Sequence, residues 1–197
     1  GIDYKVTSKF TFGIMGSYES SDLDGNLIDL ESQGWGIGPY LGVILTDNIV
    51  FSANLTGAKL DSSQFGGALD FESDRIQAAA SLNGYWYRDT WRFNPGISLS
   101  WSKEWMEEDT GFLPDQIIET GLATANFQIG NTLRLSDQST VEPWAGAAFD
   151  YTFLNETTTK GVGSDDDPYT DLRAHFGLNF VFGNNVQLSL IGELGGL

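Results

Sequence analysis

Cysteine is absent from the sequence, and basic residues are few: 10 Lys and Arg stand against 27 Asp and Glu, for a net charge of −17. Without cysteine there is no disulfide framework and no thiolate metal site. A chain this acidic, with no basic cluster, lacks the cations that nucleic-acid binding needs to neutralise phosphates. Proline is also scarce, at 5 residues, and there is a single histidine. No apolar run reaches the roughly 18–20 residues that a membrane-spanning helix needs. That absence does not exclude a membrane, because barrel strands are short and alternate. No signal peptide is visible, and the chain starts at Gly1, so it reads as a mature or partial chain.

Aromatic residues and glycine are abundant. Six Trp, 7 Tyr and 13 Phe among 197 residues give enough apolar surface to offset the entropy of ordering, so disorder is not expected, and the length suits one domain. The decisive signal is the period. From 92 to 102 the odd positions are Phe93, Pro95, Ile97, Leu99 and Trp101, while the even ones are Arg, Asn, Gly and Ser. From 172 to 182, Leu172, Ala174, Phe176, Leu178, Phe180 and Phe182 alternate with Arg173, His175, Gly177 and Asn179. A helix would scatter these sets around its axis, whereas a strand puts each on one face. The pattern predicts nine strands, near 10–18, 35–45, 49–57, 76–86, 92–102, 122–135, 141–153, 172–182 and 186–194. Gly1 to Tyr4 read as the tail of an earlier strand.

The connections alternate without exception. Short ones carry turn residues, around 6–9, 46–48, 87–90, 136–139 and 183–185. Long polar ones cover 19–33, 58–75, 103–121 and 154–171. In an up-and-down antiparallel sheet this places every short turn at one end and every long loop at the other, the asymmetry of an outer-membrane barrel. Twenty of the 27 acidic residues fall in the four long connections. A soluble barrel or sandwich alternates too, but with its apolar face inward. Three features favour the inverted arrangement. Many strands alternate over about 10 residues, enough to cross the hydrocarbon at a tilt. The polar faces carry small residues and isolated charges of both signs rather than the Lys and Glu of a solvated sheet. Aromatics gather near strand ends, at Trp35, Tyr85, Trp86, Tyr87, Trp91, Phe93, Trp101, Trp105, Phe180 and Phe182, as interfacial girdles do.

On this reading the lumen is lined by Gln77, Asn83, Asn126, Gln128, Arg134, Glu142, Asp150, Arg173, His175 and Glu193. Lipid is faced by Ile97, Leu99, Phe127, Phe149, Phe176 and Leu188. No catalytic site, metal site or cofactor is expected. His175, with Asp171 or Asp150 nearby, is read as part of a lumenal charge network rather than as half of a His–Asp pair of the omptin-protease kind. The run Asp165-Asp166-Asp167 offers oxygen ligands for a hard cation, but it lacks EF-hand spacing and reads as a solvated loop. Gly34, Gly36, Gly38 and Gly42 are not a dinucleotide fingerprint, since the spacing differs and no helix follows.

Several segments carry a family resemblance. The opening Gly1-Ile-Asp-Tyr-Lys-Val-Thr-Ser-Lys-Phe-Thr-Phe-Gly-Ile-Met-Gly-Ser-Tyr-Glu resembles the strand–turn–strand unit of autotransporter β-domains. Gly34-Trp-Gly-Ile-Gly-Pro-Tyr-Leu-Gly, Phe71-Glu-Ser-Asp-Arg with its following strand ending Gly84-Tyr-Trp, and Val141-Glu-Pro-Trp-Ala are similar to other strands of that family. The resemblance implies a 12-stranded antiparallel barrel in the bacterial outer membrane, with short turns periplasmic and long loops extracellular. On that scheme residues 1–197 form one barrel domain of about 9–10 strands, lacking strand 1, most of strand 2 and strand 12. The implied function is to anchor and to secrete or display an N-terminal passenger. The implied partners are outer-membrane lipid and lipopolysaccharide, the passenger domain of the same chain and the barrel-assembly machinery, with no nucleic acid. A stand-alone outer-membrane barrel and a soluble acidic β-sandwich are the rival readings.

Overall fold

A computed structural model describes residues 1–24, 29–64, 69–108, 115–136, 139–159, 162–165, 167–182 and 186–195. Among these residues every regular element is a strand. In chain order they are β1 (Ile2–Thr7), β2 (Phe10–Asp24), β3 (Asp29–Thr46), β4 (Ile49–Gln64), β5 (Leu69–Gly84), β6 (Trp86–Arg88), β7 (Trp91–Glu108), β8 (Gln116–Asn131), β9 (Leu133–Ser136), β10 (Ser139–Thr159), β11 (Val162–Asp165), β12 (Tyr169–Phe182) and β13 (Val186–Leu194). They form one antiparallel sheet in the order β1-β2-β3-β4-β5-β7-β8-β10-β12-β13. β6 continues the β5 ladder onto β7, β9 continues β8 onto β10, and β11 pairs with the far end of β10. Each strand therefore pairs with its neighbours in sequence, the up-and-down topology expected. Among the described residues β1 and β13 are not paired with each other, so the sheet is open.

The strands are longer than the period predicts. β2 and β3 pair as far as Asp24↔Asp29, β4 and β5 as far as Gln64↔Leu69, and β7 reaches Glu108. Much of 19–33, 58–75, 103–121 and 154–171 is thus not loop but hairpin. The period is lost there because polar residues stand on both faces and apolar ones such as Leu60, Met106 and Ile118 fall on the concave side, yet the ladder of backbone hydrogen bonds runs on. The turn positions 137–138 and 183–185 lie outside the described residues. At the other short turns, Asn48 accepts no special strain: its backbone N–H donates to the Thr46 hydroxyl (3.3 Å) and its side-chain amide to the Tyr85 carbonyl (2.7 Å). Asp89 takes the left-handed conformation (φ 55°), which a short polar side chain tolerates in a tight turn.

Register shows that the strands are staggered. The row of partners that starts at Phe10, the turn end of β2, runs through Val43, Phe51, Leu82, Ile97, Ala125 and Phe149 to Leu172. Leu172 lies ten residues from Phe182, the turn end of β12. Such a stagger is what tilted barrel strands require.

Neither face forms a dry core. Leu60 and Ala148 are the buried hydrophobic residues among those described, and no large side chain is fully buried. Leu99 is 58% exposed, Phe127 46% and Phe153 42%. A soluble sandwich would crowd these three side chains together inside, so that rival reading fails.

Candidate functional site: the polar concave face

The sheet curls with its polar face inward. Side chains from β2, β4, β5, β7, β8, β10 and β12 line one cavity of about 840 Å³, among them Ser17, Glu19, Gln77, Ser102, Thr120, Asp150 and Arg173. The curl is also visible in an ion pair. Arg75 of β5 pairs with Glu19 of β2, although two strands lie between them. In a flat sheet their backbones would be about 14 Å apart. The ground between them is small: Gly34 lies opposite Glu19, while Gly36 and Ala58 lie between Ser17 and Arg75. Arg75 also lies 3.8 Å from Glu104 of β7, whose other contact is the Ser73 hydroxyl at 2.7 Å.

A second cluster joins β7, β10 and β12. Glu142 accepts from the Arg92 guanidinium (2.6 Å), the Asn179 amide (3.2 Å) and the Thr132 hydroxyl (3.3 Å). The third joins β8, β10, β12 and β13. Arg173 donates to Asp150 through Nε (2.5 Å) and Nη2 (3.2 Å), Thr124 donates to the same carboxylate (2.6 Å), and Glu193 lies 3.5 Å from Arg173 Nη1. Each cluster couples two or more strands through charge-assisted bonds, which are stronger than neutral ones. They brace the wall against opening.

All ten side chains expected to line the lumen share this face. Gln77, Asp150 and Arg173 line the cavity itself. Asn83 and Asn126 converge over Gly96, where a Cβ would come within 2.6 Å and 2.7 Å of their oxygens. Gln128 lies opposite Asn94 and Gly146 in the ladder. Glu142 and Glu193 sit in the clusters above. His175 is opposite Glu193 and 5.7 Å from the Trp144 ring. The Asp150 carboxylate is held by Arg173 and Thr124, so the structure does not assemble it with His175 as a pair. Arg134 is exposed near the turn end of β9, opposite Thr140. Asp166 lies outside the described residues, and the same is true of the Asp165 side chain.

Ile97, Leu99, Phe127, Phe149, Phe176 and Leu188 all lie on the opposite, convex face and are exposed. Aromatics mark both ends of that face. Trp86, Trp91 and Phe93 stand at the turn end together with the stacked Phe180 and Phe182 (5.9 Å between centroids). Tyr18, Trp35, Trp101 and Trp105 stand toward the hairpin end. Glu19, Arg75, Arg92 and Glu104 were not among the expected lumen residues. Arg92 lies inside the 92–102 alternation and was legible there, whereas Glu19, Arg75 and Glu104 fall in the stretches where the period is lost and only the register places them on this face.

The family model for the autotransporter β-domain matches residues 1–108, more than half of the chain. The chain belongs to the autotransporter β-domain family. This β-domain is therefore an outer-membrane β-barrel protein, and its fold agrees with solved members. The β domain of the Bordetella autotransporter BrkA superposes with a TM-score of 0.71 at 10% identity, covering 98% of this chain and 80% of that one. The translocator domain of the autotransporter NalP from Neisseria meningitidis gives 0.69 at 15% identity, over 99% and 72%. The Escherichia coli outer-membrane transporter YddB gives 0.52 at 9% identity over 98% of this chain but 32% of its own. At such identities the likeness is one of fold. No curated protein matches the β-domain in sequence.

Proposed function

We propose that this β-domain is the wall of a translocator that anchors a passenger of the same polypeptide and carries it across the outer membrane. The long hairpins at β2–β3, β4–β5 and β7–β8 face the outside, and the short turns face the periplasm. The observation that carries this reading is the division of the sheet into a concave face with small polar residues around an open cavity and a convex face with exposed apolar side chains. A polypeptide in transit presents unpaired N–H and C=O groups. It needs a hydrated, hydrogen-bonding wall, and an apolar bore would strand those groups. The Ser52–Ser81 and Ser102–Thr120 hydroxyl pairs (2.7 and 2.8 Å) supply such a wall without bulk. No catalytic step is required. The convex face meets lipid and lipopolysaccharide, and a barrel of this kind reaches the membrane through the barrel-assembly machinery.

The test is surface display in the native host. The natural full-length protein, carrying an epitope ahead of the β-domain, should expose that epitope to antibody on intact cells. Added protease should cut in the long hairpins and leave the short turns intact. Ion conductance without display would replace this reading with that of a stand-alone pore. Hairpins protected on intact cells but cut in spheroplasts would reverse the orientation.

A further inference from the structure

On the concave face, where β10, β12 and β13 meet, three carboxylates stand around one guanidinium. Asp150 and Asp171 are direct cross-strand partners on that face. Like charges so placed repel. Arg173 relieves Asp150 but not Asp171: its Nε and Nη2 donate to Asp150, and its Nη1 lies beside Glu193. Asp171 is half-buried and lines the cavity of about 840 Å³. Among the described residues it has no ion pair and no hydrogen bond. The group as a whole is left with more carboxylate than cation.

A second, independent feature sits beside it. Thr152 of β10 lines the same cavity, is only 8% exposed, and has no hydrogen-bond partner for its hydroxyl among the described residues. A buried hydroxyl left without a partner costs stability. Thr152 is paired in the ladder with Tyr169 of β12, whose ring therefore stands on the same face and also lines the cavity. Thr152 and Asp171 are diagonal neighbours, about 7–8 Å apart. The spot thus offers a charged acceptor, a neutral acceptor and an aromatic face, with no cation of its own. Among the described residues no three carboxylate or imidazole groups converge as a metal ion requires. The acceptors are spread along the wall instead, at a spacing spanned by a flat cation with N–H groups on several edges, each about 2.9 Å from its acceptor.

We infer that Asp171, Thr152 and Tyr169 form a binding site for one guanidinium group. Two of its N–H groups go to the Asp171 carboxylate as a bidentate pair, a third goes to the Thr152 hydroxyl, and its face lies against the Tyr169 ring. An ammonium is a compact point charge and cannot span both acceptors. The inference deepens the translocator reading and rests on it, since the concave face must be the lumen of a barrel. The cation is carried either by an arginine side chain of the same polypeptide lodged in the lumen or by a free guanidinium compound, and both present the same group to the wall.

The experiment titrates the natural full-length protein in mild detergent with agmatine by calorimetry and, in parallel, maps the reaction of its arginines with phenylglyoxal by peptide mass. A free source of the cation gives one agmatine bound per chain. A lodged side chain gives no agmatine uptake but one arginine ahead of the β-domain that resists phenylglyoxal. Asp171→Asn should lower agmatine affinity about tenfold, or make the protected arginine reactive, as loss of a charge-assisted pair does. Thr152→Val, which keeps the shape, and Tyr169→Leu should each have about a threefold effect. Tetramethylammonium, a cation without N–H groups, should bind at least about tenfold more weakly than agmatine. Heat-modifiable migration on gels verifies that each variant is still a folded barrel. The inference is overturned if the wild type shows neither bound agmatine nor a protected arginine, or if Asp171→Asn changes neither. It is also overturned if tetramethylammonium binds as well as agmatine, which would leave only a diffuse negative field in the lumen. Epitope display is scored on the same cells. Lost display with the site filled sinks the translocator reading alone, and intact display with no guanidinium bound sinks the site alone.

Discussion

The Arg92 guanidinium reaches Glu142 across β8, and the residue beneath the bridge is Gly130. A Cβ on Gly130 would meet the Glu142 side chain at 3.2–3.3 Å, tight enough that the carboxylate would have to shift. Both partners are largely shielded, with side chains 19% and 16% exposed. Removing one of them leaves the other as an under-paired charge, which costs more than the bridge contributes. Arg92→Ala or Glu142→Ala should therefore destabilise the folded barrel by about 1–3 kcal/mol in urea titrations followed by tryptophan fluorescence. The pair Arg92→Met with Glu142→Leu should cost less than either single change. Equal and additive losses from the two single variants would show that the bridge does not couple β7 to β10.

Two glycines are covered by aromatic rings from the neighbouring strand. A Cβ on Gly177 would lie 2.7 Å from the Trp144 ring, and one on Gly192 would lie 2.8 Å from the Phe176 ring. In both pairs the residues are direct cross-strand partners. Gly177→Ala must displace the Leu190 backbone carbonyl, which a Cβ would approach to 2.4 Å, as well as the Trp144 indole, and should cost at least about 1–3 kcal/mol, as overpacking does. Gly42, with open space where its Cβ would be, should accept Ala at little cost. Thermal unfolding of the two alanine variants side by side checks this.

Alternation exposed the two faces in the sequence because each is chemically uniform over the membrane-crossing stretch. A single misplaced charge among Ile97, Leu99 and Trp101 would have blurred it. The same logic explains what was not legible. Past Ser20 in β2 and Asp61 in β4 both faces of the hairpin are polar, so the period vanishes while the ladder runs on through Ser20↔Gln33 and Asp61↔Glu72. Of the charged sites, Asp150, Arg173 and Glu193 were readable because they sit within clear alternation. The Glu19–Arg75 bridge was not, since it joins residues 56 apart in the chain and two strands apart in the sheet. Only the curl of the wall brings them together.

Acid should loosen the rim on the convex face. Glu119 lies beyond the apolar band of β8. The Trp101 indole N–H holds its carboxyl below the usual carboxylate range, with Lys103 adding to this and burial opposing it. A depressed carboxylate stabilises the fold above its unfolded pKa, about 4.3 for Glu, and that contribution is lost as pH falls through the lower folded value. The fluorescence of a variant keeping only Trp101 should shift as the pH is lowered below about 4. Glu119→Gln should abolish the shift. A shift that persists in Glu119→Gln would assign the transition to another group.

Neighbouring residues on β7 give the sharpest test of which way the wall faces. Leu99 stands on the convex face and Ser100 on the concave one, so the two positions share backbone, depth and strand but differ in what they meet. A basic side chain held in hydrocarbon costs about 2–4 kcal/mol near the bilayer midplane, whereas one in a hydrated lumen costs little. Leu99→Arg should therefore lower the unfolding free energy in liposomes by at least about 2 kcal/mol, and Ser100→Arg should change it by less than about 1 kcal/mol, the scale of surface substitutions. The same pair in detergent-free buffer distinguishes an inverted sheet. If the concave side were the dry one, Ser100→Arg would be the damaging change and Leu99→Arg the tolerated one. Equal costs at both positions would mean that neither face meets lipid at this depth.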